Sequence, residues 1–205
     1  WMKSRYPSQP IAAVGHSVGG QVLGLASNVA HIESMVTVCA QSGYWKHWRG
    51  LGRAAMLGFY TLMPLSARLF GYFPASRISK MQDLPAGVAY EWAHYGKRPG
   101  YLQSSGRLSH AHFALFRGPL RALSFADDGF APRAAVDALA ASYRNAQLER
   151  EHIAPRELGV ASVGHFGFFR RAYGGSLWRA SLDSLARRAA PATRDARPVA
   201  MTFHG

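Results

Sequence analysis

The chain has 205 residues, 48% of them apolar, with 5 Trp, 9 Tyr and 11 Phe, and a formal net charge of +13. That apolar content excludes a disordered polyelectrolyte, and the single cysteine excludes a disulfide framework or a Cys-rich zinc module. The longest apolar stretch, residues 54–67, contains Pro64 and lies between Arg53 and Arg68, short of the roughly 18 apolar residues that a membrane span needs.

The chain opens at Trp1 rather than Met, so an N-terminally incomplete chain is expected, and the lack of a signal peptide carries no information. Residues 11–14 form a short apolar run stopped by Gly15 and read as a buried strand. After Ser17, Val22, Leu25, Ala26 and Val29 recur at the helical period. Residues 35–40 read as a second buried strand, with Gln41, Ser42 and Gly43 as its exit turn. Residues 121–126 give a third, followed by the turn Asp127-Asp128-Gly129 and by Pro132, which suits the first position of a helix. Val136, Leu139, Ala140 and Tyr143 supply that helix with a buried stripe. Gln147–Ile153 reads as a charged strand at a sheet edge. A last helix is expected from about Ser176, with Trp178, Leu182 and Leu185 on one side. Strand and helix alternate, which predicts an α/β fold with a mostly parallel sheet.

The stretch 42–118 differs. It holds 14 of the aromatic residues and ten Lys and Arg against Asp83 and Glu91. Residues 51–57 and 62–70 look helical, with Pro64 and Pro74 as breakers. The expectation is a largely helical cap over a core made of residues 1–41 and 119–187, with a loosely ordered tail at 188–205. More than half of the charge excess sits in the cap, which favours anionic partners without choosing among them.

Gly15-His16-Ser17-Val18-Gly19 matches G-x-S-x-G between a predicted strand and a predicted helix, the context of a nucleophile elbow. There the serine hydroxyl is exposed at the sheet edge, and the Val18 N–H at the helix start can donate to a developing oxyanion. A serine nucleophile needs a base, and the base needs an orienting carboxylate. Asp128 follows a strand end and His165 sits between Gly164 and Gly167 further on, in the Ser, acid, His order that this architecture uses. Asp127 competes with Asp128. The turn places Asp128 beyond the strand end, so Asp128 is preferred and Asp127 is read as a turn or helix-capping carboxylate.

GHSVGG, FADDGFAP and VGHFGFFRR, in this order, resemble the α/β-hydrolase superfamily, and more closely a group of bacterial α/β-hydrolases similar to the serine aminopeptidase and monoacylglycerol lipase-like branch. The resemblance covers residues 1 to about 180. It implies Ser17 as nucleophile, Asp128 as acid, His165 as base and Val18 as one oxyanion donor. It also implies several strands and a second oxyanion donor ahead of Trp1. Without them, the strand at 11–14 is expected to be an exposed apolar edge.

Other residues carry less. His16, in the variable elbow position, either shapes the pocket or packs, and Tyr44 and Trp45 in the aromatic run 44–48 either line a substrate pocket or form cap core. Cys39 reads as a buried structural cysteine. His110 and His112 lack acidic or Cys neighbours, so no metal and no cofactor is expected. Arg170 and Arg171 could attract an anionic head group.

The sequence thus points to a cytoplasmic serine hydrolase acting on a carboxylic ester of an amphiphilic or anionic acyl substrate. A transient contact with an acidic lipid surface is part of that expectation. No helix-turn-helix, zinc-finger or aromatic RNA-binding motif is present, so no nucleic-acid partner is expected. An amidase or peptidase with the same triad, or a catalytically inactive binding protein on the same fold, remain the alternatives.

Overall fold

The apolar runs on either side of the glycine-rich turn pair with each other. The computed structural model describes residues 1–78, 81–106 and 110–186. In chain order these form α1 (Met2–Arg5), β1 (Ala12–His16), α2 (Val18–Leu23), β2 (Ser34–Val38), α3 (Gly50–Phe70), β3 (Tyr72–Phe73) and β4 (Leu84–Pro85). They continue through α4 (Ala86–Gly96), β5 (Pro119–Phe125), α5 (Arg133–Ala140), β6 (Gln147–Ile153) and α6 (Arg179–Ala186).

The main sheet has the order β1-β2-β5-β6, and every pairing in it is parallel. Parallel strands need crossover connections, which α2, the long insert and α5 provide. β2 is buried along its whole length, as expected for a strand covered on both faces. β6 lies at one edge, where its Glu149, Arg150 and Glu151 discourage further pairing. β1 forms the other edge, and its Val14 is half-exposed.

One core cluster joins Val36, Val38, Leu123 and Phe125 to Val136 of α5 and to Phe168, Tyr173 and Leu177. A second joins Met35 and Leu120 to Val29, Phe113, Phe116 and Tyr143. The insert has a cluster of its own, in which Tyr60, Met63 and Ala67 of α3 meet Ala89 and Ala93 of α4.

Three local expectations need correction. Residues 50–70 form one helix, with Pro64 inside it. Pro64 removes a single intrahelical donor, while Tyr60, Met63 and Ala67, spaced along one face, bury against α4 and carry the helix through. Gly71 in the left-handed region ends it. The helix after Ser17 stops at Leu23, before Gly24, and Val29 is buried from a separate 3₁₀ turn. In the last helix Trp178 and Leu185 pack on the core as expected, but Leu182 is 64% exposed, and Ser181 and Ser184 are buried in its place. Ser181 is accommodated there because its hydroxyl donates to the Leu177 carbonyl at 2.7 Å.

The tail assigned to 188–205 lies outside the described residues. Among the described residues, no helix is long and apolar enough to cross a membrane.

Candidate active site

The strand-to-helix switch occurs at one residue. Ser17 has φ +50° and ψ −124°, a conformation that a side-chain-bearing residue seldom adopts. Its N–H still donates to the Val38 carbonyl at 3.0 Å, as if β1 continued, and its carbonyl already accepts from the Gln21 N–H at 3.1 Å. The turn is possible because the chain on either side comes very close. A Cβ on Gly15 would lie 2.7 Å from the Gly20 Cα, and one on Gly20 would lie 2.4 Å from the Ala40 Cβ. A Cβ on Gly19, the final glycine of the pentapeptide, would meet no atom within 4 Å. Val18 opens α2, so its N–H belongs to the donors that a helix start leaves without an intrahelical acceptor.

Asp127 and Asp128 follow β5 and separate in function at once. Asp128 is buried, and its Oδ2 accepts the His165 Nδ1–H at 2.7 Å. Its Oδ1 accepts the N–H groups of Phe130 at 2.8 Å and Ala131 at 3.1 Å. Burial alone would raise the Asp128 pKa. The hydrogen bond and charge of His165, the Cys39 thiol and the Ala131 N–H outweigh it, and the carboxyl is held below its ordinary value. The other nitrogen of the His165 ring reaches Ser17, whose hydroxyl donates to Nε2 at 2.9 Å. The His165 side chain is only 7% exposed and that of Asp128 is fully buried, so their bond is shielded from water.

Asp127 accepts the Ser162 hydroxyl at 2.8 Å and the N–H groups of Val163 at 2.9 Å and Gly164 at 3.0 Å. From the turn after β5 it therefore braces the histidine loop and caps no helix. Burial alone would raise its pKa, but these three donors together with its own backbone N–H hold it below the ordinary value. Sequence reasoning missed this role, because the contact spans 37 residues and no local signal marks it.

His16 joins the cluster. Its Nε2–H donates to the His165 backbone carbonyl at 2.8 Å, and its ring centroid lies 4.9 Å from that of His165. Phe130 and Phe166 approach the His165 ring at 5.5 and 4.9 Å, and Phe169 approaches His16 at 5.2 Å. All three Phe are about half-exposed. They lie in the acid and histidine motifs, which is the signal that could have assigned them to the site. Tyr44 and Trp45 are placed elsewhere. Tyr44 lines a pocket with Ser42, His47, Tyr101 and Gln103, and Trp45 packs on the core of the insert. Trp48 of the same run ties the insert to the acid loop, its Nε1–H donating to the Gly129 carbonyl at 2.9 Å. Arg170 and Arg171 are exposed.

Among the described residues, one group could offer three metal ligands: Cys39, Asp128 and His165, with donor atoms within 4.8 Å of one another. Asp128 Oδ2 and His165 Nδ1 already hold each other. Cys39 is buried, and burial with the Asp128 charge pushes its thiol far up. The donor set fits a hydrogen-bonded relay better than a metal centre. His112 donates from Nδ1 to the Leu25 carbonyl at 2.8 Å and serves the core.

No family model and no curated protein matches the sequence. Among solved structures, alpha/beta hydrolase domain-containing protein 10 from mouse aligns over 90% of this chain and 64% of its own length, at 14% identity and a TM-score of 0.51. A monoacylglycerol lipase from Paleococcus ferrophilus aligns over 88% of this chain and 70% of its own, at 10% identity and a TM-score of 0.49. Rv0554 from Mycobacterium tuberculosis aligns over 92% and 70%, at 18% identity and a TM-score of 0.45. The chain thus spans about two thirds of the length of these structures. Four parallel strands in the order β1-β2-β5-β6, flanked by helices, and the overlap with the mouse protein give this chain the fold of the α/β-hydrolase superfamily.

Proposed function

We propose that this protein is a serine hydrolase that cleaves a carboxylic ester through an acyl-enzyme. The observation that carries this reading is the continuous relay from Ser17 Oγ through His165 to Asp128, at 2.9 and 2.7 Å, on a serine held in a strained backbone turn. In the first half-reaction Ser17 Oγ attacks the ester carbonyl carbon while its proton passes to His165 Nε2. Asp128 keeps the imidazole proton on Nδ1 and stabilises the imidazolium that forms. The Val18 N–H donates to the oxyanion. Collapse expels the alkoxide, which takes the proton from Nε2, and leaves Ser17 acylated. Water then repeats the sequence with His165 as base and releases the acid.

The half-exposed Phe130, Phe166 and Phe169 beside the relay support an acyl substrate with an apolar part. The basic insert and the exposed Arg170 and Arg171 support an anionic end or a transient contact with an acidic lipid surface. Treating the full-length protein with a fluorophosphonate and mapping the adduct by mass spectrometry tests the reading. The expected adduct is on Ser17 and is lost in Ser17→Ala and strongly slowed in His165→Ala. A full-length protein that stays unlabelled overturns the proposal.

A further inference from the structure

Both carboxylates after β5 and the residue before Ser17 hold the histidine loop. Upstream of His165, the backbone N–H groups of Val163 and Gly164 are bound by Asp127. The His165 ring is bound by Asp128. Its backbone carbonyl is bound by His16, the residue before Ser17, across 149 positions of sequence. Gly164, at φ +62°, precedes the histidine in a left-handed conformation that glycine adopts freely, and Gly167 follows it in a buried 3₁₀ turn. The His165 ring bonds Asp128 and Ser17 through its two nitrogens and packs against His16, Phe130 and Phe166, and a small pivot of the loop would lengthen the 2.9 Å approach to the Ser17 hydroxyl.

We infer that His16 is a positioning residue for the base: its Nε2–H pins the His165 carbonyl to the nucleophile elbow and so fixes the imidazole against Ser17. The inference rests on the serine-hydrolase reading for its catalytic consequence, though not for the loop contact itself. Donation to a carbonyl places the His16 proton on Nε2. Burial lowers the His16 pKa, which favours the neutral ring beside a base that must become positively charged during the reaction. Phe166 and Phe169 flank the His16 ring at 5.6 and 5.2 Å and hold its plane. A side chain kept only for packing would need the ring and not the donor. A positioning residue needs the donor at the Nε2 position.

Three substitutions separate these roles. His16→Phe keeps a ring and removes the donor. His16→Gln puts an amide N–H the same number of bonds from Cα as the imidazole Nε2, whereas the amide of His16→Asn falls one bond short. Two readouts are taken on the full-length protein: ester turnover, and amide hydrogen exchange of residues 163–167. Expected is a fall in kcat of about ten- to a hundredfold for His16→Phe and His16→Asn, with KM within about twofold and faster loop exchange. His16→Gln should recover kcat to within about threefold and restore slow exchange.

Wild-type kcat and loop exchange in His16→Phe would overturn the inference. So would His16→Gln being as impaired as His16→Asn, a comparison that stands even where His16→Phe fails to fold. A wild-type protein inert to esters and fluorophosphonate, with loop exchange still ordered as expected across the variants, would remove the hydrolase reading and leave the positioning contact in place.

Discussion

Asp127 and Asp128 are neighbours in sequence and grip the same loop from different sides. The Asp128 carboxylate meets the His165 ring at 2.7 Å, while the Asp127 carboxylate takes the backbone N–H groups of Val163 and Gly164 at 2.9 and 3.0 Å. Consecutive side chains at a strand end diverge, so one tight turn delivers both the partner of the imidazole and the brace of the loop that carries it.

The two carboxylates should therefore fail in different ways. Asp128→Asn leaves His165 without an acceptor for its Nδ1–H and favours the wrong tautomer, so kcat should fall by about 10⁴ with little change in KM. Asp127→Asn keeps one acceptor oxygen for the loop donors, and kcat should fall only about tenfold. Steady-state kinetics on both variants checks the ratio. Equal losses would contradict the division of labour.

Both carboxyls are held below their ordinary pKa. The unfolded chain therefore takes up these protons at higher pH than the folded chain does. Their contribution to stability is complete above about pH 5, and it is lost as pH falls below about 4 through the depressed folded values. Denaturation midpoints measured from pH 6 to 3 should fall for the wild type, and the fall should be shallower in Asp127→Asn and in Asp128→Asn.

Of the two consecutive glycines that follow Val18, only Gly20 is tightly packed. Gly20→Ala puts a Cβ 2.4 Å from that of Ala40 and should destabilise the fold by about 1–3 kcal/mol through overpacking. Gly19→Ala meets nothing within 4 Å and lies inside α2, so it should be neutral or stabilising by up to about 1 kcal/mol. Urea titrations of the two variants distinguish them, and a reversed order would contradict the packing described.

Tyr101 links the insert to the elbow helix, its hydroxyl donating to Gln21 Oε1 at 2.9 Å in a fully buried setting. Gln21 is 2% exposed. Tyr101→Phe should leave that oxygen without its donor and cost about 1–3 kcal/mol, measurable as a lower midpoint in urea. Double substitution with Gln21→Leu should cost less than the sum of the single changes, because both polar partners are then removed.

Much of the architecture was legible because it is encoded locally. The apolar runs at 11–14, 35–40 and 121–126 became β1, β2 and β5 within two or three residues, and Gln147–Ile153 became β6 at an edge. Strand composition and alternation with helices need only the residues themselves. Ser17 at a strand-to-helix turn is equally local, since the strain at one residue and the flanking glycines are read from six consecutive positions. Where local signals competed with packing they misled: Pro64 did not end α3, because the face built on Tyr60, Met63 and Ala67 is buried against α4.

What the amino-acid order determined by itself was the parallel α/β plan and the succession of Ser17, Asp128 and His165 along it. Only the tertiary structure decided that Asp127 braces the histidine loop, that Gly20 rather than Gly19 makes the close contact, and that His16 holds the His165 carbonyl. Tyr44 and Trp45, read as either substrate-pocket or packing residues, line a pocket with Tyr101 and pack on the core of the insert, while Phe130 and Phe166 came to the His165 ring and Phe169 to that of His16. The reason is physical. A residue's type and the local period set which element it joins, but its partners across 37 or 149 residues depend on how the strand ends converge at one edge of the sheet.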